Sequence, residues 1–348
     1  MKKMILKLLT LFVVSQLTFI SDELPAQSPP PPPPPPTMSG SIVNTKHNLS
    51  VSGPGTVKST VEQAICIFCH TPHNARVDVA YLWNRNQPAD NYTPYQSSTL
   101  YATVGQPTGA SKLCLSCHDG TIALGQLVSR AYEIPFEGGL RFMPEGPSKI
   151  GTDLSDDHPV SFIYDNALAS ARGELILPTS LPPEIKLDKT GQLQCTTCHD
   201  PHKNVNGQFL VLPNLSSNLC TTCHQTNGWN LSSHSASNAT WNGNGANPWP
   251  HTSNTTVSEN GCENCHKPHT AGKHERILNY EFEEDNCLVC HNGNVAVKSI
   301  SSEITKPYKH GVQSYINIHD PIENFTTQVQ KHVECEDCHN PHQSNGNL

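Results

Sequence analysis

The chain has 348 residues, of which 35% are hydrophobic and 15% are charged, and its formal net charge is −8. The hydrophobic share is below the usual value of about 45–50%, so a core made of protein alone would be thin. Scarce charge argues against polyelectrolyte disorder, and the negative balance argues against nucleic-acid binding. The 29 Pro and 22 Gly favour loops, so a compact fold needs another source of apolar interior.

The N-terminus has the pattern of a secretory signal peptide. Lys2, Lys3 and Lys7 precede a short apolar run at residues 8–20, and Ala26 offers a small residue for cleavage. The run is too short for a transmembrane helix, so we predict a signal peptide over residues 1–26. Without a later apolar span, the mature chain is expected to lack a transmembrane segment. Secretion to the extracellular space is predicted, with the periplasm or outer cell surface as alternatives.

Residues 27–38 include eight consecutive prolines at 29–36. Such a run forms a stiff polyproline segment without hydrogen bonds, so these residues predict a disordered or extended leader. The folded domain is predicted over residues 39–348.

All 14 cysteines lie in seven Cys-x-x-Cys-His motifs, numbered one to seven in chain order. The cysteines are Cys66, Cys69, Cys114, Cys117, Cys195, Cys198, Cys220, Cys223, Cys262, Cys265, Cys287, Cys290, Cys335 and Cys338. The adjoining histidines are His70, His118, His199, His224, His266, His291 and His339. In this motif the two thiols bond to the porphyrin and the histidine becomes the proximal iron ligand of haem c. Disulfides or zinc ribbons would not need a histidine after every pair, so seven haem c groups are predicted.

Each iron also needs a sixth ligand or an open site. Outside the signal peptide only Met38 and Met143 remain, so methionine cannot serve seven irons, whereas twelve further histidines are available. The predicted distal ligands are His47, His73, His158, His202, His269, His332 and His342. Histidines held in reserve are His234, His251, His310 and His319, with His274 the weakest candidate. Ligation by two histidines leaves no open iron site for a substrate, and no catalytic residue is predicted.

The odd-numbered motifs share the context Cys-His-x-Pro-His, which supplies His73, His202, His269 and His342. Proline fixes the backbone between the two histidines and prevents a helix from returning the second imidazole to the same face. The second histidine is therefore expected to ligate the iron of a neighbouring haem.

Odd and even motif contexts alternate, which predicts two-haem repeats at about 39–130, 190–228 and 258–294, and a single-haem half-repeat at about 310–348. Repeats of this kind stack on their neighbours, so an elongated domain is expected. The predicted fold is a multihaem cytochrome c, mostly coil with a few short helices, little β structure and a haem-stacked core. One short helix is expected at residues 121–130.

The paired motifs at residues 195–224 and 262–291 resemble those of the doubled-CxxCH multihaem cytochromes c. The chain is similar, within that group, to filament-forming extracellular cytochromes, or cytochrome nanowires. The resemblance implies a continuous row of haems with two histidine ligands each. It also implies that the second histidines of the odd motifs are ligands, and that a histidine near one terminus acts on another copy.

The predicted function is that of an exported heptahaem c-type cytochrome, an electron-transfer protein without enzymatic activity. It carries electrons along closely stacked haems and polymerises with other copies of itself into a conductive filament. Its other partners are redox proteins or extracellular electron acceptors. The alternatives are a soluble periplasmic or outer-membrane-complex electron shuttle and, less favoured, a multihaem oxidoreductase, which would need an open iron site.

Overall fold

A computed structural model describes residues 40–272, 275–312 and 333–344, all within one unit, Ser39–Leu348. Its α-helices are α1 (Gly109–His118), α2 (Asn166–Arg172), α3 (Cys195–Cys198), α4 (Asn218–Thr221), α5 (Ser233–Ala236), α6 (Val257–Asn260), α7 (Glu283–His291) and α8 (Ser301–Ile304). Single 3₁₀ turns lie at Ile42–Asn44, Cys66–Phe68, Glu137–Gly139, Pro178–Ser180, Leu215–Ser217, Trp229–Leu231, Gly261–Asn264, Glu275–Ile277 and Cys335–Asp337. The predicted coil-rich fold is therefore confirmed. The predicted signal peptide and proline-rich leader lie outside the described residues.

The regular β structure of the described part is one two-stranded antiparallel sheet. Strand β1 (Phe162–Ile163) pairs with β2 (Gln192–Leu193), and Phe162 lies opposite Leu193. The sheet places motif three, which begins at Cys195, directly after a paired strand.

The even and odd motifs have different local structures. Motifs two and six occupy the C-terminal ends of α1 and α7, and α4 ends within motif four. Each odd motif occupies a single short turn, because the proline two residues after its histidine disfavours a helix there. The sequence context thus decides whether a motif ends a helix or begins an extended segment.

The predicted helix at 121–130 is wrong. Helix α1 carries motif two and ends at His118, before that segment begins. Gly120 has a φ of 75°, and the Asp119 carboxylate accepts the Thr121 N–H at 2.7 Å. A left-handed glycine followed by such a side-chain-to-backbone bond ends the helix and starts a turn.

The hydrophobic core of the described residues is divided into four small clusters. The largest gathers Phe68, Leu124, Leu127, Ile134 and Phe136 next to motifs one and two. The others centre on Leu115, Phe162 and Trp249, respectively. Within the described ranges, no helix has the length and apolar character needed to cross a membrane.

Candidate haem-binding sites

Six of the seven proximal histidines face the imidazole of a second histidine. The pairs, proximal histidine first, are His70–His202, His118–His47, His199–His269, His224–His158, His266–His342 and His291–His234. The two ring centroids of each pair lie 6.1–6.2 Å apart. Six separate sites therefore share one distance.

This distance fits one metal ion between two imidazoles. With metal–nitrogen bonds of about 2 Å and each ring centre about 1 Å behind its nitrogen, the centroids of two ligating imidazoles lie about 6 Å apart. Across the described ranges, no three His, Cys, Asp or Glu side chains converge as a metal cluster. The imidazoles occur in pairs beside a cysteine pair, which is the donor set of a covalently attached haem with two axial histidines.

Hydrogen bonds to the other ring nitrogen orient many of these imidazoles. Nδ1 of His70, His118, His199 and His266 donates to the backbone carbonyls of Tyr81, Ser148, Gln208 and Arg276, respectively, at 2.6–2.9 Å. A carbonyl can only accept, so the proton resides on Nδ1 and Nε2 keeps its lone pair. Such a partner fixes both the tautomer and the ring orientation of a metal-ligating histidine.

Burial keeps several of these imidazoles neutral. Burial, followed by the charges of His158 and His266, lowers the pKa of His224 to about 4. Burial likewise lowers the pKa of His118 and of His158. Because the neutral imidazole is the form that binds metal, the folded chain presents these rings ready for ligation.

The odd-numbered motifs follow one pairing rule. The second histidine of motif three, His202, faces His70 of motif one. The second histidines of motifs five and seven reach back in the same way, placing His269 against His199 and His342 against His266. Motifs one, three and five are thus each paired with the odd motif that follows.

The even-numbered motifs follow a second rule. His47, His158 and His234 each precede an odd motif and face the proximal histidine of the even motif that follows it. We call these three the leader histidines. Sequence reasoning held His234 in reserve, because its surroundings, SSHSAS, look like an ordinary polar loop.

The remaining candidate histidines lie elsewhere. His73, His310 and the proximal His339 are exposed, and His251 is half-buried. None of these four faces another candidate histidine among the described residues. His274, His319 and His332 lie outside the described residues.

A repeated backbone feature supports the proximal histidines of motifs one, three and five. About ten residues after each of these histidines, two consecutive non-glycine residues adopt left-handed conformations. These residues are Tyr81 and Leu82, Gln208 and Phe209, and Arg276 and Ile277, with φ between 48° and 66°. The first carbonyl of each pair accepts the histidine Nδ1–H. Non-glycine residues seldom adopt this conformation, so its repetition at three ligands marks a functional constraint. Sequence reasoning missed it, since the three pairs share no residue type.

The second cysteines of an odd motif and of the next even motif are neighbours. Burial and, next, the thiol of the neighbouring motif raise the pKa of Cys69, Cys198 and Cys265 to about 12. Their neighbours are Cys117, Cys223 and Cys290. In a haem-loaded chain these thiols correspond to thioether sulfurs. The two attachment points of each two-motif unit therefore lie close to each other.

The first cysteines make the alternate contacts, from each even motif to the next odd motif. Hydrogen bonds from Cys114, Cys220 and Cys287 lower the pKa of the thiols of Cys195, Cys262 and Cys335, respectively. Together, the two sets of contacts place the seven motifs side by side in chain order.

Polar side chains hold these even-to-odd contacts in register. The Cys195 N–H donates to Ser111 Oγ at 3.0 Å, and the Cys262 N–H donates to Ser217 Oγ at 2.7 Å. Each serine lies three residues before the first cysteine of its even motif. At the last joint, the Glu336 N–H donates to a Glu283 carboxylate oxygen at 2.9 Å. The joints between modules are therefore built by backbone donors and short polar acceptors.

A buried arginine lies between motifs one and two. The Arg85 side chain is 0% exposed and donates to the carbonyls of Leu124, Ser116 and Ala123 at 2.7–3.1 Å. The guanidinium makes no ion pair within the described ranges. It holds the turn after motif two and brings a positive charge that no carboxylate of the described residues pairs with.

We expect Arg85→Met to lower the free energy of unfolding by about 3 kcal/mol, because three buried carbonyls lose their donors. Arg85 acts electrostatically on both Cys69 and Cys117, so the loss of its charge should also lower the reduction potentials of the first two haems. Denaturant titration and potentiometry measure the two effects. Arg130→Met is the control, since Arg130 is 46% exposed and pairs with Glu62, and it should cost less than about 1 kcal/mol. Equal effects of the two substitutions would contradict this assignment.

Two segments of the chain, residues 189–228 and 254–296, match the family model described as "Doubled CXXCH motif". The first segment contains motifs three and four, and the second contains motifs five and six. No curated protein matches the chain. The doubled motifs indicate covalent binding of haem c, and they support a place for this chain among the multihaem c-type cytochromes, whose typical role is electron transfer.

Proposed function

We propose that the protein carries electrons along a row of seven covalently attached haem c groups, most or all with two histidine ligands. The observation that carries this proposal is the set of six imidazole pairs with centroids 6.1–6.2 Å apart, each next to a cysteine pair. The seventh motif has the same cysteines and proximal histidine.

The residues around each pair have separable roles. The cysteines would attach the haem, and the proximal and facing histidines would together hold its iron. Haem iron, when bound, supplies one-electron oxidation and reduction. With two imidazoles available for each iron, these six sites would leave no iron open to substrate, which favours a carrier over an oxidoreductase.

The sulfur contacts support a continuous row. Second cysteines interact within each unit and first cysteines interact between units, so neighbouring motifs are linked in chain order from Cys69 to Cys335. Macrocycles attached there would lie edge to edge in chain order, and electrons would pass along the row without movement of the protein. The order of the haems would then be the order of the motifs.

We further propose that the protein is exported and polymerises into an extracellular filament. The predicted signal peptide over residues 1–26 supports export. Negative-stain microscopy of secreted material tests polymerisation. Dispersed monomers at high concentration would instead favour the shuttle.

The haem content tests the electron-transfer proposal directly. We expect intact-mass spectrometry to give seven haems per chain, and electron paramagnetic resonance to show at least six low-spin irons. Potentiometric titration should then reduce all seven without added ligand. Fewer covalent haems, or high-spin signals from several irons, would overturn the proposal and favour an enzyme with open iron sites.

A further inference from the structure

One joint between modules is built three times in this chain. In each case the second histidine of an odd motif enters the site of the preceding odd motif, and the proline before it contacts a leader histidine. The Pro201 carbonyl accepts from His47 Nδ1 at 3.0 Å, and the Pro341 carbonyl accepts from His234 Nδ1 at 2.9 Å. The Pro268 carbonyl accepts from the His158 backbone N–H at 2.8 Å. The joint is thus one reusable docking arrangement between a Pro-His segment and a leader segment.

Motif one carries a Pro-His segment of the same construction. His70 Nδ1 donates to the carbonyl of left-handed Tyr81, as His199 and His266 do to their counterparts. The Thr71 N–H donates to the Leu82 carbonyl at 3.0 Å, which matches the bond from Asp200 to Phe209 at 2.8 Å. His73 is therefore presented in the same way as His202 and His269.

His73 and His339 are the two members of the odd-motif series that face no histidine among the described residues. His73 is exposed at its motif, and His339 is exposed at the last motif. By the pairing rule, motif seven requires the second histidine of another odd motif. The three that reach back within this chain are already opposite His70, His199 and His266.

We propose that His73 of a second copy of this chain enters the haem site of His339. Its Nε2 lone pair forms a dative bond to the iron, and no electron or proton is transferred in that step. The proposal rests on the proposed function, since it requires haem at motif seven. It makes motif one and motif seven the two complementary ends of a head-to-tail contact, and such a heterologous contact can repeat without closing.

The contact would also keep the row of haems continuous between copies. In motif one, three peptide units separate His70 from His73, which span at most about 11 Å. The haem held by His70 of one copy would therefore lie beside the haem of His339 that His73 completes. The resemblance implied that a histidine near one terminus acts on another copy. His47 and His342 do not fit that role, because both face proximal histidines of their own chain.

The experiment uses two exported, haem-loaded variants that each lack one end. His73→Ala removes the donor, whereas Cys335→Ala, Cys338→Ala and His339→Ala combined remove the acceptor haem. Alone, each variant should remain monomeric, and His73→Ala should keep one high-spin iron in seven at any concentration. Mixed, they should form a 1:1 dimer by mass photometry only if the variant without motif seven supplies its His73 to the open iron of the His73→Ala variant. The high-spin signal should then disappear.

Three further variants keep the test decisive. His73→Met should restore a low-spin seventh iron and assembly, because thioether sulfur can serve as an axial ligand. Val297→Ala, at a side chain that is 101% exposed, should behave like the unmodified protein.

Filaments with seven low-spin irons in His73→Ala would overturn the inference while leaving the electron-transfer function intact. A high-spin iron in His332→Ala, but not in His73→Ala, would overturn it in favour of ligation within one chain. A failure of the electron-transfer proposal would appear separately, as missing haems in the unmodified protein.

Discussion

Replacing His269 by alanine is expected to leave the iron at motif three without its sixth ligand. His269 faces His199, and its Nδ1 lies 3.1 Å from a carboxylate oxygen of the buried Asp157. Without the imidazole, the iron at motif three should become high-spin, while the other five facing pairs keep their low-spin signals. Electron paramagnetic resonance with spin quantitation measures the change as about one seventh of the haem iron.

A histidine outside the six pairs provides the matched control. His251 is half-buried and faces none of the proximal histidines in the described part of the chain. His251→Ala should therefore leave the spin state of every iron unchanged. If both variants gain the same high-spin signal, or if neither does, the assignment of His269 as an axial ligand is wrong.

The second large effect concerns the relative orientation of the two imidazole planes, which alternates along the chain. At motifs one, three and five the planes are 24°, 34° and 15° apart. At motifs two, four and six they are 64°, 79° and 78° apart. The orientation of axial ligand planes sets the splitting of the iron d orbitals, so two spectroscopic classes of haem are expected to alternate.

Low-temperature electron paramagnetic resonance separates these classes. Near-parallel planes give a rhombic low-spin signal, whereas near-perpendicular planes give a signal with one large g value. We expect at least three irons of each class. Removing motif four, by Cys220→Ala, Cys223→Ala and His224→Ala combined, should reduce only the large-g signal. A single class for all irons would show that the alternation is absent from the haem-loaded protein.

The sequence predicted the chemistry of each site better than the connections between sites. Coil, short helices and haem attachment follow from composition and from local spacing, and both the coil-rich fold and the doubled-CXXCH resemblance are confirmed. The proline in each odd motif also led to the expectation that His202 and similar residues point away from their own haem. That expectation depends only on the backbone near the proline.

The partners of these histidines depend on distant residues, and no local pattern encodes them. The leader histidines precede their motifs at unequal distances, and His234 lies in a serine-rich segment without any distinguishing context. Its role depends on the meeting of Ser233 and Ser344, whose backbone N–H and carbonyl lie 2.5 Å apart. The left-handed pairs after the odd motifs were likewise not predictable, because Tyr, Gln and Arg carry no preference for that conformation.

The backward reach of the odd-motif histidines has a consequence for biogenesis. His202 follows motif one by more than a hundred residues, so on the proposed function the first haem would gain its second histidine only after motif three had been synthesised and folded against it. The same dependence passes from motif three to motif five and from motif five to motif seven. Maturation would then proceed stepwise from the N-terminus, and a chain arrested after motif three or five would leave its last odd-numbered haem incompletely ligated.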